Sequence, residues 1–118
     1  MRFVILRKSD ATMESDTPAS PELIEAMRRY DEEMKKAGVL VAVERLLPTS
    51  RGTRIRLSKG KFSLIDGPFS ETKELIAGVT MIEVPSKEEA IAWIKRCPTL
   101  CSDDVEAQFE IRPVLDCG

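Results

Sequence analysis

The chain of 118 residues contains no histidine, few aromatic residues and no excess of positive charge. Without histidine, Ser-His-Asp and Cys-His nucleophilic centres are excluded, and so is the side chain that most often acts as a base near neutral pH. Aromatic residues make up only 5% of the chain, too few for a surface that stacks nucleic-acid bases. The 18 basic and 20 acidic residues are interspersed, so no basic stripe faces a phosphate backbone. We therefore expect no direct binding to nucleic acid.

Long hydrophobic runs and a disulfide framework are also missing. No stretch approaches the ~18 apolar residues that cross a bilayer, and the opening MRFVILRKSD lacks the long apolar segment of a signal peptide. Three cysteines are an odd number, which argues against paired disulfides. Cys97 and Cys101 are four residues apart, but Pro98 would break the helix needed to align them on a metal ion. We expect a cytoplasmic protein with no membrane segment, no metal site and no cofactor.

The chain does contain strands and helices in an order that suits one domain, residues 1–118. Apolar runs predict strands over 2–7, 39–46 and 79–84, and strict alternation predicts a last strand over 105–112. Ser20 and Pro21 are typical of a helix start, and this helix ends at Gly38.

Further signals complete the pattern between these elements. The capping box SKEE at 86–89 begins a second long helix, which stops at Pro98. Residues 8–20 are rich in turn formers and predict a loop, while Ser70 can cap a short helix over 71–77.

The segment TRIRLSKGKFSLID at 53–66 predicts a β-hairpin that turns at Lys59 and Gly60. With a two-residue turn, Thr53 lies opposite Asp66, and alternation places four large apolar side chains on one face: Ile55, Leu57, Phe62 and Leu64. Arg54, Arg56 and Ser63 fall on the other face. Asp66 therefore lies on the apolar side of the hairpin, directly before the corner GPF.

Apart from this insertion, the order of elements is βαββαβ. That is the ferredoxin-like plan of an α+β protein, with both helices on one face of an antiparallel sheet. The other face would leave apolar surface exposed, and two such faces pressed together would cover it. We therefore expect a homodimer.

Asp66 is the candidate catalytic residue, and two interpretations of it stay open. A partly desolvated carboxylate on the apolar face could act as a general acid or base. Alternatively, the Asp-Gly-Pro sequence could serve only to hold a turn, with Phe69 packed back onto the chain that follows. Trp93 in the second helix is expected to pack in the core or at a dimer contact.

The last strand and the stretch after the corner supply further candidates for binding a small polar or anionic ligand. Polar side chains alternate along the strand, and they either line a dimer cavity, with Arg112 as an anion anchor, or form local ion pairs. Lys73 is a cation near a predicted helix start, where it could bind an anion. The candidate ligand-binding residues are Asp66, Phe69, Lys73, Gln108, Glu110 and Arg112.

Several segments resemble the DGPF-domain proteins of the YCII-related group. The most distinctive is DGPFSETKE at 66–74, which follows the hairpin TRIRLSKGKFSLI at 53–65 and precedes VTMIEVPSKEEAIAWIKRCP at 79–98. The others are KAGVL at 36–40, ERLLPTS at 44–50 and VEAQFEIRPV at 105–114. The resemblance covers essentially the whole chain. It implies a bacterial protein that forms a dimeric α+β barrel around a cavity, and an association with extracytoplasmic-function sigma factors. Some members carry a His–Asp pair regarded as catalytic, and without histidine only the Asp half carries over, onto Asp66.

Three functions are compatible with these observations. The first, which we expect, is a small-molecule-binding barrel with weak acid–base chemistry at Asp66. The second is a non-catalytic interaction module for a regulatory partner such as a sigma factor, which predicts a filled interior and an exposed apolar patch. The third, an isomerase or monooxygenase-like enzyme, depends on fold analogy alone. Whether the protein is an enzyme stays open.

Overall fold

Four antiparallel strands form the main sheet of the structure, a computed structural model that describes residues 1–15, 18–71, 74–100 and 106–115. The strands are β1 (Arg2–Lys8), β2 (Leu40–Arg45), β5 (Ile76–Glu83) and β6 (Phe109–Pro113), in the spatial order β2-β5-β1-β6. Between β2 and β5 the chain makes a separate two-stranded hairpin, β3 (Thr53–Ser58) and β4 (Lys61–Asp66). This strand order is that of a ferredoxin-like α+β fold, as the sequence predicts.

In the described ranges, three α-helices accompany the sheet: α1 (Ala11–Glu14), α2 (Pro21–Lys36) and α3 (Lys87–Lys95). The predicted caps are present, because Ser20 accepts a hydrogen bond from the Leu23 amide at 3.1 Å and Ser86 accepts one from the Glu89 amide at 3.2 Å. Gly38, at φ +71°, takes the left-handed conformation that follows the end of α2. Among the described residues, none of the helices has the length and apolar character of a membrane-spanning segment.

The core lies between the helices and one face of the sheet. Side chains of β1 and β5 form a single buried cluster with Met34 of α2 and with α3; its members are Phe3, Ile5, Met34, Ile82, Val84, Ala90 and Ile94. Because α2 and α3 contribute to the same cluster, both cover the same face, as predicted.

The opposite surface, which we call the helix-free face, follows from strand register. Val4 of β1 pairs with Met81 and Arg112, and Leu6 pairs with Val79 and Glu110. These residues alternate with the buried Phe3 and Ile5, so they project away from the core. The helix-free face is therefore formed by Val4, Leu6, Val79, Met81, Glu110 and Arg112.

The hairpin has the predicted register throughout. Ser58 pairs with Lys61, Leu57 with Phe62, and Thr53 with Asp66, around the turn at Lys59 and Gly60. Both turn residues have positive φ, which is the geometry of the tight turns that join two strands.

Two local predictions are wrong. The predicted loop over 8–20 contains α1, whose N-cap Asp10 accepts a hydrogen bond from the Met13 amide at 2.8 Å. The predicted helix over 71–77 does not reach its predicted end, because Ile76 and Ala77 already belong to β5 and Gly78 pairs with Arg7 and Arg45 inside the sheet. Residues 72 and 73 lie outside the described residues. Cross-strand pairing and the burial of Leu75 outweigh the local helical tendency of this segment.

The last strand is shorter than predicted. β6 begins at Phe109, and residues 106–108 lie outside any strand, although the Lys8 amide donates to the Gln108 carbonyl at 2.9 Å. Val105, the first residue of the predicted alternation, lies outside the described residues.

Candidate functional site

A cleft of about 630 Å³ opens between α2 and the helix-covered face of the sheet. One wall comes from the apolar stripe of α2, including Leu23 and Met27, and the other comes from strand residues such as Val43 and Thr80. The rim is made by Met13 of α1 and by Leu46, Leu47 and Pro48 after β2. Its walls are mostly apolar, so the cleft suits a ligand with an apolar body.

Arg7 is the most enclosed cation of the cleft, with a side chain only 15% exposed. Its Nη1 donates a hydrogen bond to the Lys8 carbonyl at 2.8 Å, and its guanidinium carbon lies 5.1 Å from the centre of the Phe109 ring. The nearest carboxylate, that of Asp10, is 3.8 Å from Nη2, at the outer limit of an ion pair. Arg7 is thus only loosely neutralised and can attract an acidic group.

A second charged group in the cleft is already paired. Asp31 of α2 accepts a hydrogen bond from Nη2 of Arg45 at 3.1 Å, and the Asp31 side chain is mostly buried. This pair ties α2 to the end of β2 across the cleft. Because each partner satisfies the other, the pair adds polarity to the wall without adding net charge.

Tyr30, Cys97 and Thr99 form the inner end of the cleft. Burial, and after it the proximity of Cys97, raises the pKa of Tyr30 well above its ordinary value, so the phenol stays neutral. Its hydroxyl donates to the Trp93 carbonyl at 2.6 Å, while Trp93 itself packs against the core. Sγ of the buried Cys97 lies 3.2 Å from the Thr99 hydroxyl and 3.9 Å from Sδ of Met27.

Asp66 lies at the end of β4 and is exposed. Its Oδ1 accepts a hydrogen bond from the Thr53 hydroxyl at 2.9 Å, across the first pair of the hairpin. Within one chain this carboxylate is therefore solvated and closes the base of the hairpin.

The corner that follows Asp66 is packed closely against the turn at Thr49–Arg51. The Gly67 amide donates to the Gly52 carbonyl at 2.9 Å, and a Cβ on Gly67 would lie 1.7 Å from the Thr49 carbonyl oxygen. The Gly67–Pro68 peptide bond is cis. Phe69 donates its amide to Oγ1 of Thr49 at 3.1 Å, and its ring lies 3.8 Å below the guanidinium of Arg54.

Thr49 connects this corner to the rim of the cleft. Its amide donates to Oε2 of Glu14 at 2.9 Å, and its hydroxyl donates to Oε1 of the same carboxylate. Glu14 ends α1, one residue after Met13 at the rim. Hydrogen bonds through Thr49 therefore connect the DGPF corner to the rim of the cleft, although Asp66 and Phe69 do not line the cleft.

The polar residues of the last strand lie at the far edge of the sheet. Glu110 is 3.6 Å from Nζ of Lys8 and 3.8 Å from Nε of Arg112, so these side chains take part in local ion pairs. Gln108 is exposed. Lys73 lies outside the described residues. No described candidate from the sequence lines the cleft.

The cleft itself was missed by sequence reasoning, which placed the candidate ligand-binding residues on the DGPF segment and on the last strand. One signal could have pointed to it: three of the five methionines, Met13, Met27 and Met34, line the cleft. Methionine is common where a surface must adapt to a bound apolar group. Among the described residues, no three acidic or cysteine side chains come together as a metal site would require.

Comparison with known proteins places the chain among relatives of the same fold. An uncharacterized protein of Rhizobium meliloti (strain 1021) is 33% identical over 101 residues, which are 86% of this chain and 77% of that protein. The structure of 5-chloro-2-hydroxyhydroquinone dehydrochlorinase from Burkholderia phenoliruptrix AC1100, in complex with 2,5-dihydroxybenzoquinone, superposes with a TM-score of 0.50. The superposition covers 93% of this chain and 91% of the dehydrochlorinase at 15% identity, so it reflects a shared fold. The model of the YCII-related domain matches residues 1–117, and the chain belongs to the YCII-related domain family.

Proposed function

We propose that this protein binds a small molecule, with an apolar body and an acidic group, in the cleft between α2 and the sheet. The observation that carries the proposal is the cleft itself: about 630 Å³ of space within one chain, with mostly apolar walls. Ligand sites typically occupy about 300–1,000 Å³ and combine such walls with a few polar groups. The interaction-module alternative requires a filled interior, so the open cleft favours ligand binding.

Arg7 supplies the chemical preference within this proposal. A guanidinium that is 15% exposed and only loosely paired gains more from a carboxylate or sulfonate than a solvated cation does. The apolar walls then hold the body of the ligand by excluding water, at about 25 cal/mol per Å² of apolar surface buried. The fold is compatible with such a role, since the dehydrochlorinase of the same fold was solved with a small quinone.

The homodimer stays part of the proposal. Val4, Leu6, Val79 and Met81 form an apolar centre on the helix-free face, and pairing of two such faces would cover it. Such a pairing would also create a second enclosed space beside Glu110 and Arg112. Acid–base chemistry at Asp66, a sigma-factor partner and a cytoplasmic location remain predictions.

Two tryptophan substitutions on neighbouring residues of β2 test the site. Val43 faces the cleft and pairs with Thr80, whereas Ala42 pairs with Met81 and faces the opposite way. The probe is anilinonaphthalene sulfonate, which has an apolar body and one anionic group, titrated by fluorescence. We expect Val43→Trp to fill the cleft and weaken binding at least tenfold, while Ala42→Trp stays within about twofold of the wild type.

The reverse pattern would contradict the proposal. If Ala42→Trp weakens binding and Val43→Trp does not, the dye lies on the helix-free face. Thermal unfolding of both variants shows whether each is folded at the temperature of the titration.

A further inference from the structure

Three large apolar side chains at the outer end of the cleft are exposed to water. Leu47 is 65% exposed, Ile24 58% and Leu46 50%, and all three line the cleft. Leu46 and Leu47 follow directly after β2, whereas Ile24 lies near the start of α2. We call these three residues the mouth of the cleft. The apolar lining of the cleft therefore continues at the mouth onto the outer surface of the protein.

Arg7, the enclosed cation of the cleft, lies two strands away from the residues that follow β2. It pairs with Gly78 of β5, and Gly78 pairs in turn with Arg45, the last residue of β2. Neighbouring strands are about 4.8 Å apart, so the backbones of Arg7 and Arg45 are separated by about 10 Å. The cation and the exposed leucines after β2 are therefore on opposite sides of Gly78.

Gly78 keeps the floor of the cleft free of a side chain between the two arginines. Arg7, Gly78 and Arg45 pair side by side on neighbouring strands, and all three line the cleft. A Cβ at position 78 would lie 3.8 Å from Cβ of Arg7, so a side chain there would occupy the space between the arginines. With glycine at this position, a flexible ligand chain can run along the floor from Arg7 to the mouth.

We propose that the ligand of this cleft is a single-chain amphiphile of the fatty-acid type. Its acidic group binds Arg7, and its alkyl chain extends over Gly78 to the mouth. This inference rests on the proposed function and adds to it the shape of the ligand. A compact ligand, such as one aromatic ring, would leave the mouth in water, whereas an alkyl chain would cover it and gain affinity from the apolar surface buried.

The surroundings of Arg7 favour an acidic group at the end of a single chain. The Arg7 side chain is 15% exposed, with the Phe109 ring 5.1 Å from its guanidinium carbon and the Asp10 carboxylate 3.8 Å from Nη2. Such an enclosed cation is reached more easily by a terminal carboxylate than by a head group that joins two chains. The walls suit a flexible chain, since Met13 and Met27 are unbranched and can adapt to it.

A series of straight-chain carboxylates from hexanoate to dodecanoate tests the proposal. Displacement of anilinonaphthalene sulfonate, at concentrations below micelle formation, gives the dissociation constant of each acid. Each methylene group that leaves water contributes about fourfold in affinity. Because the mouth covers the outer part of the chain only in part, we expect the constant to fall at least about 100-fold from hexanoate to dodecanoate.

Leu47→Ser distinguishes a chain at the mouth from adsorption elsewhere, with Leu64→Ser as its matched control. Leu64 is 69% exposed, much like Leu47, but does not line the cleft. We expect Leu47→Ser to weaken dodecanoate at least about fivefold and hexanoate less than about twofold, because only the longer chain reaches position 47. Leu64→Ser should change neither by more than about twofold. Both leucines are exposed, so both variants should fold, which thermal unfolding checks.

The outcomes separate the shape of the ligand from the presence of a site. Affinity that stops rising beyond hexanoate, or equal effects of the two leucine variants on dodecanoate, would overturn the alkyl chain but leave ligand binding in the cleft intact. Dihexanoyl phosphatidate, which has the same number of acyl carbons in two chains, should bind at least tenfold more weakly than dodecanoate. Equal binding would assign the cleft to a membrane lipid and overturn the single chain. If Val43→Trp leaves dye binding unchanged, both this inference and the proposed function fail.

Discussion

Gly67 marks the closest backbone approach in the DGPF corner. A Cβ at this position would lie 1.7 Å from the Thr49 carbonyl oxygen, far inside van der Waals contact with a backbone atom. We expect Gly67→Ala to lower the free energy of unfolding by about 2 kcal/mol or more, because the corner must separate from the Thr49 turn. Chemical denaturation measures this change.

Gly52→Ala is the control, since a Cβ there would lie 3.4 Å from the same oxygen, an ordinary contact. We expect that variant to change the free energy of unfolding by less than about 1 kcal/mol. Equal losses in the two variants would show that the close approach at Gly67 does not determine the stability of the corner.

Asp66 can be tested separately from the rest of the corner. Its carboxylate accepts one exposed hydrogen bond, from Thr53, so we expect Asp66→Asn to cost less than about 1 kcal/mol. Because Asp66 does not line the cleft, the affinity for anilinonaphthalene sulfonate should not change. A tenfold loss of dye affinity with an unchanged free energy of unfolding would instead support a direct role of Asp66 in ligand binding.

The pKa of Glu25, on the surface of α2, is set by the two arginines beside it. A hydrogen bond from Arg28, together with the charge of Arg28 and the proximity of Arg29, lowers the pKa of Glu25 from 4.5 to about 2. The stability that this carboxylate contributes is therefore fully present above pH 4.5 and is lost as the pH falls toward 2. The contribution is modest, because solvent screens exposed ion pairs.

A carbon NMR titration of the Glu25 carboxyl group should give a midpoint near pH 2 in the wild type. In Arg28→Gln the midpoint should move back toward 4.5, because the largest stabilising contact is gone. A wild-type midpoint near 4.5 would show that the pair with Arg28 does not persist in solution.

At the scale of single elements, local sequence signals predict the boundaries of helices and turns correctly where no contact with a residue distant in the sequence favours another structure. Ser20 before Pro21, Ser86 before Glu89 and the Lys59-Gly60 turn each specify a boundary by backbone chemistry, and the structure has all three. The hairpin register follows from the turn length alone, which is why every predicted pair is found.

Elements that depend on partners distant in the sequence could not be predicted in this way. Residues 71–77 have the composition of a short helix, yet Ile76 pairs with Lys8 and the Ala77 carbonyl accepts the Leu46 amide. The cleft is a similar case, because its width depends on how far α2 stands from the sheet. A stripe such as Leu23 and Met27 gives the same pattern for a packed core and for a wall that faces open space.

The α2 helix offers a test of how the stripe divides between core and cleft wall. Met34 is only 2% exposed within the core cluster, whereas Ile24 on the same helix is 58% exposed. We expect Met34→Ala to lower the free energy of unfolding by about 3 kcal/mol, and Ile24→Ala by less than about 1 kcal/mol, in thermal or chemical denaturation. A loss at position 24 as large as that at position 34 would mean that α2 is packed differently.

For the whole molecule, three surfaces of the described residues are left for partners that a single chain does not supply. The cleft lies inside one chain and needs a ligand, whereas the helix-free face and the apolar face of the hairpin need cover from outside. These surfaces are separate, so ligand binding and self-association can be tested independently. Phe62→Asp should leave the affinity for the dye unchanged, because Phe62 does not line the cleft.

The most direct test of ligand binding in the cleft uses the methionine methyl groups, labelled with carbon-13 in the intact protein. Met13, Met27 and Met34 line the cleft, whereas Met81 lies on the helix-free face and Met1 is exposed at the N-terminus. With bound anilinonaphthalene sulfonate, we expect intermolecular nuclear Overhauser effects to the Met13 and Met27 methyls and none to Met81. Effects to the Met81 methyl, with none to Met13 or Met27, would place the ligand between paired sheets and contradict this account.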